Sequence, residues 1–189
     1  LNVVLTSMLA FALSRKEFVL RGFITLMMVL TMYINAGLIP NYLLITKTLQ
    51  LNKTFWVYII PTMFSCFNMI ILRTYIMGLP EALAESARID GANDMRIFWQ
   101  IIMPNVKPAW LTLMIFSFQA VWNSANNTYI YKEQLKTLPT VMSQLAAGGV
   151  ARVGVGAASS VILMLPPVLL FIFTQTNIID TMATSGMKD

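Results

Sequence analysis

Four of the chain's eight acidic residues, Glu81, Glu85, Asp90 and Asp94, fall within one short stretch. Carboxylates this close together could act as an acid–base pair or as charges that dock on a basic surface. The rest of the sequence offers no support for acid–base chemistry. There is no histidine, which removes the commonest general base and metal ligand. The single cysteine, Cys66, lies inside an apolar run, reads as packing, and can form no intramolecular disulfide. No catalytic triad and no cluster of metal ligands occurs in the sequence. A nucleotide-phosphate loop needs Gly, four residues, then Gly-Lys and Ser or Thr. Gly148-Gly149, Gly154 and Gly156 are followed by no Lys-Ser/Thr and read as loop or close helix packing. The chain is therefore expected to be no enzyme and to hold no cofactor, with its clustered carboxylates serving as docking charges.

A second group of residues has binding chemistry. Asn68, Gln119, Trp122 and Asn123 sit within or at the ends of apolar runs. Polar groups are costly in lipid, so they face a solute pathway or another helix. A Trp face with neighbouring amides suits a sugar, which stacks and hydrogen-bonds. The same residue types also serve as interface anchors and helix glue. Met27, Met28 and Met32 read as lipid-facing or packing.

These residues need a membrane around them. Hydrophobic residues make up 57% of the chain and charged residues 11%, against roughly a quarter charged in a soluble domain. The net charge of +5 comes from scattered basic residues between apolar runs, which suits membrane flanks rather than nucleic acid. About 20 apolar residues cross a bilayer as a helix. Residues 1–13 read as the end of one span, with Leu1 already inside it and upstream residues expected to be missing; no secretory leader is seen. Further spans are expected over 22–39 (stopped by Pro40), 54–72, 108–125 and 157–174. The reading is an all-α, polytopic bundle of about five spans, one of them partial. Residues 41–53 read as a short interfacial helix, 126–156 as a polar loop and 175–189 as a polar tail. If 74–107 is cytoplasmic, so are 14–21 and the tail. That side carries Arg15, Lys16, Arg21, Arg73, Arg88, Arg96, Lys107 and Lys188, and the other carries Lys47, Lys53, Lys132, Lys136 and Arg152. The bias follows the positive-inside rule. No unit recurs at a fixed period.

The acidic stretch belongs to residues 79–108. Pro80 suits a helix's first turn, and Glu81 and Glu85 suit its positive end. Asp90-Gly91 is a turn signal, and Asn93 or Asp94 can cap a second helix. Ile97 and Ile101 share a face of that helix, near Phe98 and Ile102, and Pro104 ends it. The sequence thus describes two short helices joined by a sharp turn. They could fill a groove on a partner protein, or lie on lipid as an amphipathic hairpin with Glu85 paired to Arg88.

Glu85-Ser86-Ala87, then Gly91, Ile101 and Pro104, resembles the EAA loop of ABC importer permeases. That loop reads Glu-Ala-Ala, three residues, Gly, nine residues, Ile, one residue, Leu-Pro. Every spacing fits; Ser86 and Met103 depart from the pattern. Ile89-Asp90-Gly91-Ala92 with Phe98 resembles the maltose-type, carbohydrate branch. Gly37-Leu38-Ile39-Pro40 with Tyr42-Leu43-Leu44, Asn68 with Arg73, Trp122-Asn123 and the ending Gly186-Met187-Lys188 are similar to permeases for complex sugars. The family usually has six spans, so the resemblance implies that the first is absent from this chain. It further implies a permease subunit of an ATP-driven, binding-protein-dependent importer in the plasma membrane, with the EAA loop and C-terminus cytoplasmic. The implied partners are a second permease subunit, a dimer of ABC ATPase subunits carrying ATP and Mg, an external solute-binding protein, the lipid bilayer and a sugar substrate. Glu85, Ser86, Ala87, Asp90, Gly91, Ile101 and Pro104 would form the coupling site. Glu85 would pair with a basic residue of the ATPase, Ala87 and Gly91 would allow its close approach, and Asp90 would help hold the turn. Alternatives are a permease for another small solute, an ion-coupled secondary transporter, which normally needs ionisable groups at membrane depth, and a membrane enzyme.

Overall fold

A computed structural model describes residues 1–34, 36–52, 54–124, 130, 132–147 and 153–185, the last ten as helix backbone. The expectations for Lys53, Gly148-Gly149, Arg152 and Gly186-Met187-Lys188 lie outside the described residues. Among the described residues the fold is all-α, as expected, with no strand. The helices are α1 (Asn2–Ser14), α2 (Arg21–Tyr33), α3 (Leu38–Leu43), α4 (Trp56–Ile59), α5 (Cys66–Met77), α6 (Ala82–Ile89), α7 (Asp94–Arg96), α8 (Met103–Asn105), α9 (Lys107–Trp122), α10 (Leu138–Ala146) and α11 (Val153–Ser185). Two wider π-type segments, Leu44–Thr48 and Ile97–Ile102, continue α3 and join α7 to α8. The chain forms two compact units: Leu1–Asn35, Met63–Met114 and Thr176–Asp189 make one, Ala36–Thr62 and Ile115–Gln175 the other.

The first unit is built on α1 packed against α5, with α2 beside both. Thr6, Ser7 and Ala10 of α1 are fully buried. Lipid gives helices no hydrophobic reason to associate, so small residues that permit close backbone approach matter most. Met69 and Leu72 of α5 join the same buried cluster. Arg73 Nε donates to the Leu13 carbonyl at 3.0 Å, placing a cation at the negative end of α1. The Cys66 thiol donates to the Met28 carbonyl at 3.1 Å, so the lone cysteine ties α5 to α2. Met27 and Met32 are exposed on α2 while Met28 packs against the core.

The second unit has a small core of Ile45, Val57 and Ile130. The Tyr58 hydroxyl donates to the Leu135 carbonyl at 2.8 Å. Gly156, in the first turns of α11, would place a Cβ 3.5 Å from Ala146 Cβ, the close helix packing expected of it.

Several boundaries differ from the sequence expectation. The expected span 54–72 is broken: α4 ends at Ile59 and α5 starts at Cys66. Pro61 has no N–H to continue the first helix, and the Ser65 hydroxyl caps the second by accepting from Asn68 N at 3.3 Å. Pro40 does not stop α2, which ends at Tyr33; it lies in the first turn of α3, where a missing N–H costs nothing. The loop 126–156 contains a 3₁₀ turn, Glu133–Leu135, and α10. The tail stays helical to Ser185. Consequently fewer full spans are seen than the expected five. Among the described residues, Val153–Gln175, at 23 residues, alone is long and apolar enough to cross a membrane; up to three spans are reached if bent helix pairs count as one each. At 13 and 12 residues, α1 and α5 are apolar but short, covering about 20 Å of a roughly 30 Å hydrocarbon core.

Candidate functional site

The segment after α5 folds as the sequence describes. In α6, Ala84 and Ala87 face inward, buried against α1, α5 and the following helix, while Glu85, Ser86 and Ile89 face out. The helix stops at Asp90, and Gly91 takes φ +80°, a left-handed conformation that costs glycine little. Gly91 N donates to the Arg88 carbonyl at 3.0 Å and Ala92 N to the Ala87 carbonyl at 2.9 Å. These two bonds are a Schellman cap, closing the carbonyls left open at the helix end. The Asp90 carboxylate makes no hydrogen bond among the described residues, so the backbone and not Asp90 holds the turn. Asn93 Oδ1 then accepts from Arg96 N at 2.9 Å, capping the second helix.

That second helix widens to a π-type ladder over Ile97–Ile102, just before Pro104. Pro104 gives no N–H to the Gln100 carbonyl, and its ring would crowd that carbonyl in a regular helix; the wider winding relieves both. Pro104 therefore lies within the final turn, and the helix ends at Asn105. Residues Asp94–Asn105 then meet α9 at 87°. Ile97, Phe98, Ile102 and Met103 are buried. The Phe98 ring lies 5.3 Å from that of Phe11 in α1 and 4.9 Å from Trp99, fastening the hairpin to the membrane helices.

Of the seven expected coupling residues, Glu85, Ser86, Asp90, Gly91 and Pro104 are exposed. Ala87 is buried at 8% exposure, so its small size admits the chain's own helices rather than a partner, contrary to expectation. Ile101 is half-buried against the same core. Three apolar residues around the turn are exposed: Ile89 (87% exposed), quoted from sequence only as part of the family resemblance, and Met95 and Trp99, which were not singled out. Their signal was present, since Ile89 lies four residues after Glu85 and shares its outer face.

Glu85 makes no ion pair among the described residues, and Arg88 does not pair with it. Arg88 instead bridges Glu17, in the loop after α1, and Asp94, at 3.2 Å. Lys16 adds a contact to Glu81 at 2.6 Å. The hydrogen bond and charge of Arg88 hold the Glu17 carboxyl below its ordinary value of 4.5, and its carboxylate partners hold Arg88 more firmly protonated. A depressed carboxyl pKa stabilises the fold above the unfolded-state value and loses that effect as pH falls through the folded-state value. Thermal unfolding of wild type and Arg88→Gln should therefore differ most near neutral pH. The gap should close on acidification below the ordinary glutamate range, and narrow in high salt. A gap independent of both would mean that Arg88 acts by packing alone.

The residues expected to bind solute fall apart into two sets. Asn68 is buried in the first unit at 5% exposure. Gln119, Trp122 and Asn123 share the end of α9 in the second unit, at helical spacings that place them on one face. Trp122 Nε1 donates to the Leu163 carbonyl of α11 at 2.9 Å, the carbonyl to which Pro167 offers no N–H. The Trp122 ring stacks on Phe118 at 5.7 Å. Trp122 thus works as helix glue, whereas Gln119 and Asn123 are exposed.

Residues 2–181 match the family described as "Binding-protein-dependent transport system inner membrane component". The chain belongs to this family. Among relatives of this inner membrane component, the polygalacturonan/rhamnogalacturonan transport system permease protein of Bacillus subtilis (strain 168) is 30% identical, over 93% of this chain and 67% of the relative. The arabinooligosaccharides transport system permease protein of Halalkalibacterium halodurans is 29% identical, over 100% of this chain and 68% of the relative. The chain spans about two thirds of the length of these relatives. The fold also matches a solved bacterial ABC transporter involved in the import of the acidic polysaccharide alginate, with a TM-score of 0.75 at 23% identity, over 93% of this chain and 72% of that one. The inner membrane component is therefore a transport permease by family, and its fold is all-α among the described residues.

Proposed function

We propose that this inner membrane component is the permease subunit of an ATP-driven importer for oligosaccharides or related sugars, and that the hairpin 79–108 is where ATPase subunits act on it. The observation that carries the coupling reading is the outer edge of the hairpin. Glu85, without an ion pair among the described residues, and Ile89 are exposed on α6 before the left-handed Gly91, and Met95 and Trp99 are exposed on the helix after it, while Ala84, Ala87, Ile97 and Phe98 are buried in one cluster with residues of α1 and α5. An exposed carboxylate and exposed apolar side chains on a hairpin fastened by its buried face suit docking into a partner's groove. ATPase closure then biases the membrane helices between inward- and outward-facing states.

The sugar reading rests on what the relatives are named for: polygalacturonan/rhamnogalacturonan, arabinooligosaccharides, and melibiose/raffinose/stachyose. Gln119 and Asn123 have free surface for hydrogen-bonding a sugar; Asn68 is read as packing. The hairpin, the loop 14–21 and the C-terminus are assigned to the cytoplasm of a plasma-membrane protein. A second permease subunit and an external solute-binding protein complete the assembly.

The test is co-purification of the full-length permease with its ATPase in detergent, for wild type and Glu85→Lys. Reversing a charge that meets a basic partner in a desolvated contact should cost ~2–5 kcal/mol of association and abolish capture, with membrane insertion unchanged. Undiminished capture of Glu85→Lys would remove Glu85 from the contact.

A further inference from the structure

Between the end of α1, the start of α2, the end of α5 and α6 lies a cavity of about 510 Å³ whose lining includes Arg15, Lys16, Arg21, Arg73 and Arg88. Two of these cations are neutralised: Lys16 by Glu81, and Arg88 by Glu17 and Asp94. The other three, Arg15, Arg21 and Arg73, form no ion pair among the described residues, though the charges of Asp94, Glu17 and Glu81 offset part of that on Arg15. Nε and Nη2 of Arg15 are buried without any hydrogen-bond partner, and its guanidinium lies 4.4 Å over the Phe11 ring. Arg73 uses Nε on the Leu13 carbonyl, leaving its other nitrogens uncommitted to a carboxylate. Glu85 is the one lining carboxylate without an ion pair among the described residues. Five cations against three carboxylates leave the lining net positive, and like charges gathered in one cavity repel each other. An anion with several oxygens would relieve that repulsion, and phosphate suits the planar fork of arginine.

The surroundings favour one carrier of that phosphate. Directly from Arg21 runs α2, which buries none of its residues and exposes Phe23, Leu26, Met27 and Leu30. A cationic cavity at the foot of an apolar helix matches a charged headgroup with acyl chains above it. We propose that this cavity binds a phosphate-bearing anion, the headgroup of an anionic phospholipid, with the lipid tails along α2.

The test uses the full-length permease within its importer complex, titrated with phosphatidylglycerol, phosphatidylcholine or inorganic phosphate and read by native mass spectrometry. Wild type should retain phosphatidylglycerol over phosphatidylcholine. Each arginine near the surface contributes enough that Arg21→Gln should weaken retention about fivefold, and Arg15→Gln with Arg21→Gln roughly twentyfold. Lys47→Gln, an exposed cation outside the cavity, should change nothing. Arg73 is left intact because it holds the end of α1. Equal retention of the two lipids by wild type, or arginine variants that behave like Lys47→Gln, would overturn the proposal. If inorganic phosphate binds as well as phosphatidylglycerol and both are lost with the arginines, the anion site stands and the lipid assignment falls.

Discussion

Replacing Phe98 with alanine is expected to destabilise the permease by ~3–5 kcal/mol, the usual cost of removing a large buried aromatic ring. Phe98 is 1% exposed and contacts both Phe11 of α1 and Trp99 of its own helix. Its surroundings cannot collapse cheaply, because Ile97 and Ile102 on the same helix are already buried against α1 and α5. Phe98→Met should lose less, since a flexible thioether fills most of the space. Thermal unfolding of the detergent-purified chain reads the stability, and limited proteolysis within 79–108 reads whether the hairpin detaches first. A loss below about 1 kcal/mol for the alanine variant would mean that the ring is not the fastening point. If the ring is that point, uptake should fall with hairpin protection, because a detached hairpin transmits no ATPase movement.

What the sequence made legible was what local chemistry decides. The α6 helix, the Asp90-Gly91 turn and the capping Asn93 follow from propensity, positive φ and one side-chain oxygen, all within a few residues. The ion pair between Glu17 and Arg88 joins residues 71 positions apart, and no local pattern announces it; the nearer pair Glu85–Arg88 belonged to the alternative reading of a hairpin lying on lipid. The inward turn of Ala87 depends on which face of α6 meets the Ile97–Ile102 segment, which apolar spacing alone left open in so short a helix. The break between Ile59 and Cys66 was readable from Pro61 and Ser65, but the strong apolarity of 54–72 concealed it. Trp122 serves as helix glue because Pro167 frees the Leu163 carbonyl on another helix, a pairing visible only once the two helices are side by side.

The turn offers the sharpest separation between strain inside the permease and fit against a partner. A Cβ added at Gly91 would meet nothing within 4 Å, yet φ is +80°. Any cost within the chain is therefore conformational, about 1–2 kcal/mol for an ordinary L-residue and worse for a β-branched one. Gly91→Val should cut ATPase association by roughly tenfold or more and lower uptake with it, while insertion into the membrane persists. Two further substitutions tell the causes apart. Asparagine tolerates the left-handed region better than alanine but is larger. If strain at the turn is what matters, Gly91→Asn should retain more association than Gly91→Ala. If the partner's backbone packs directly on Gly91, the order reverses, because the smaller side chain then intrudes less. Full association and uptake in all three variants would show that the turn needs no left-handed residue for its task, and the hairpin would lose its standing as the coupling element.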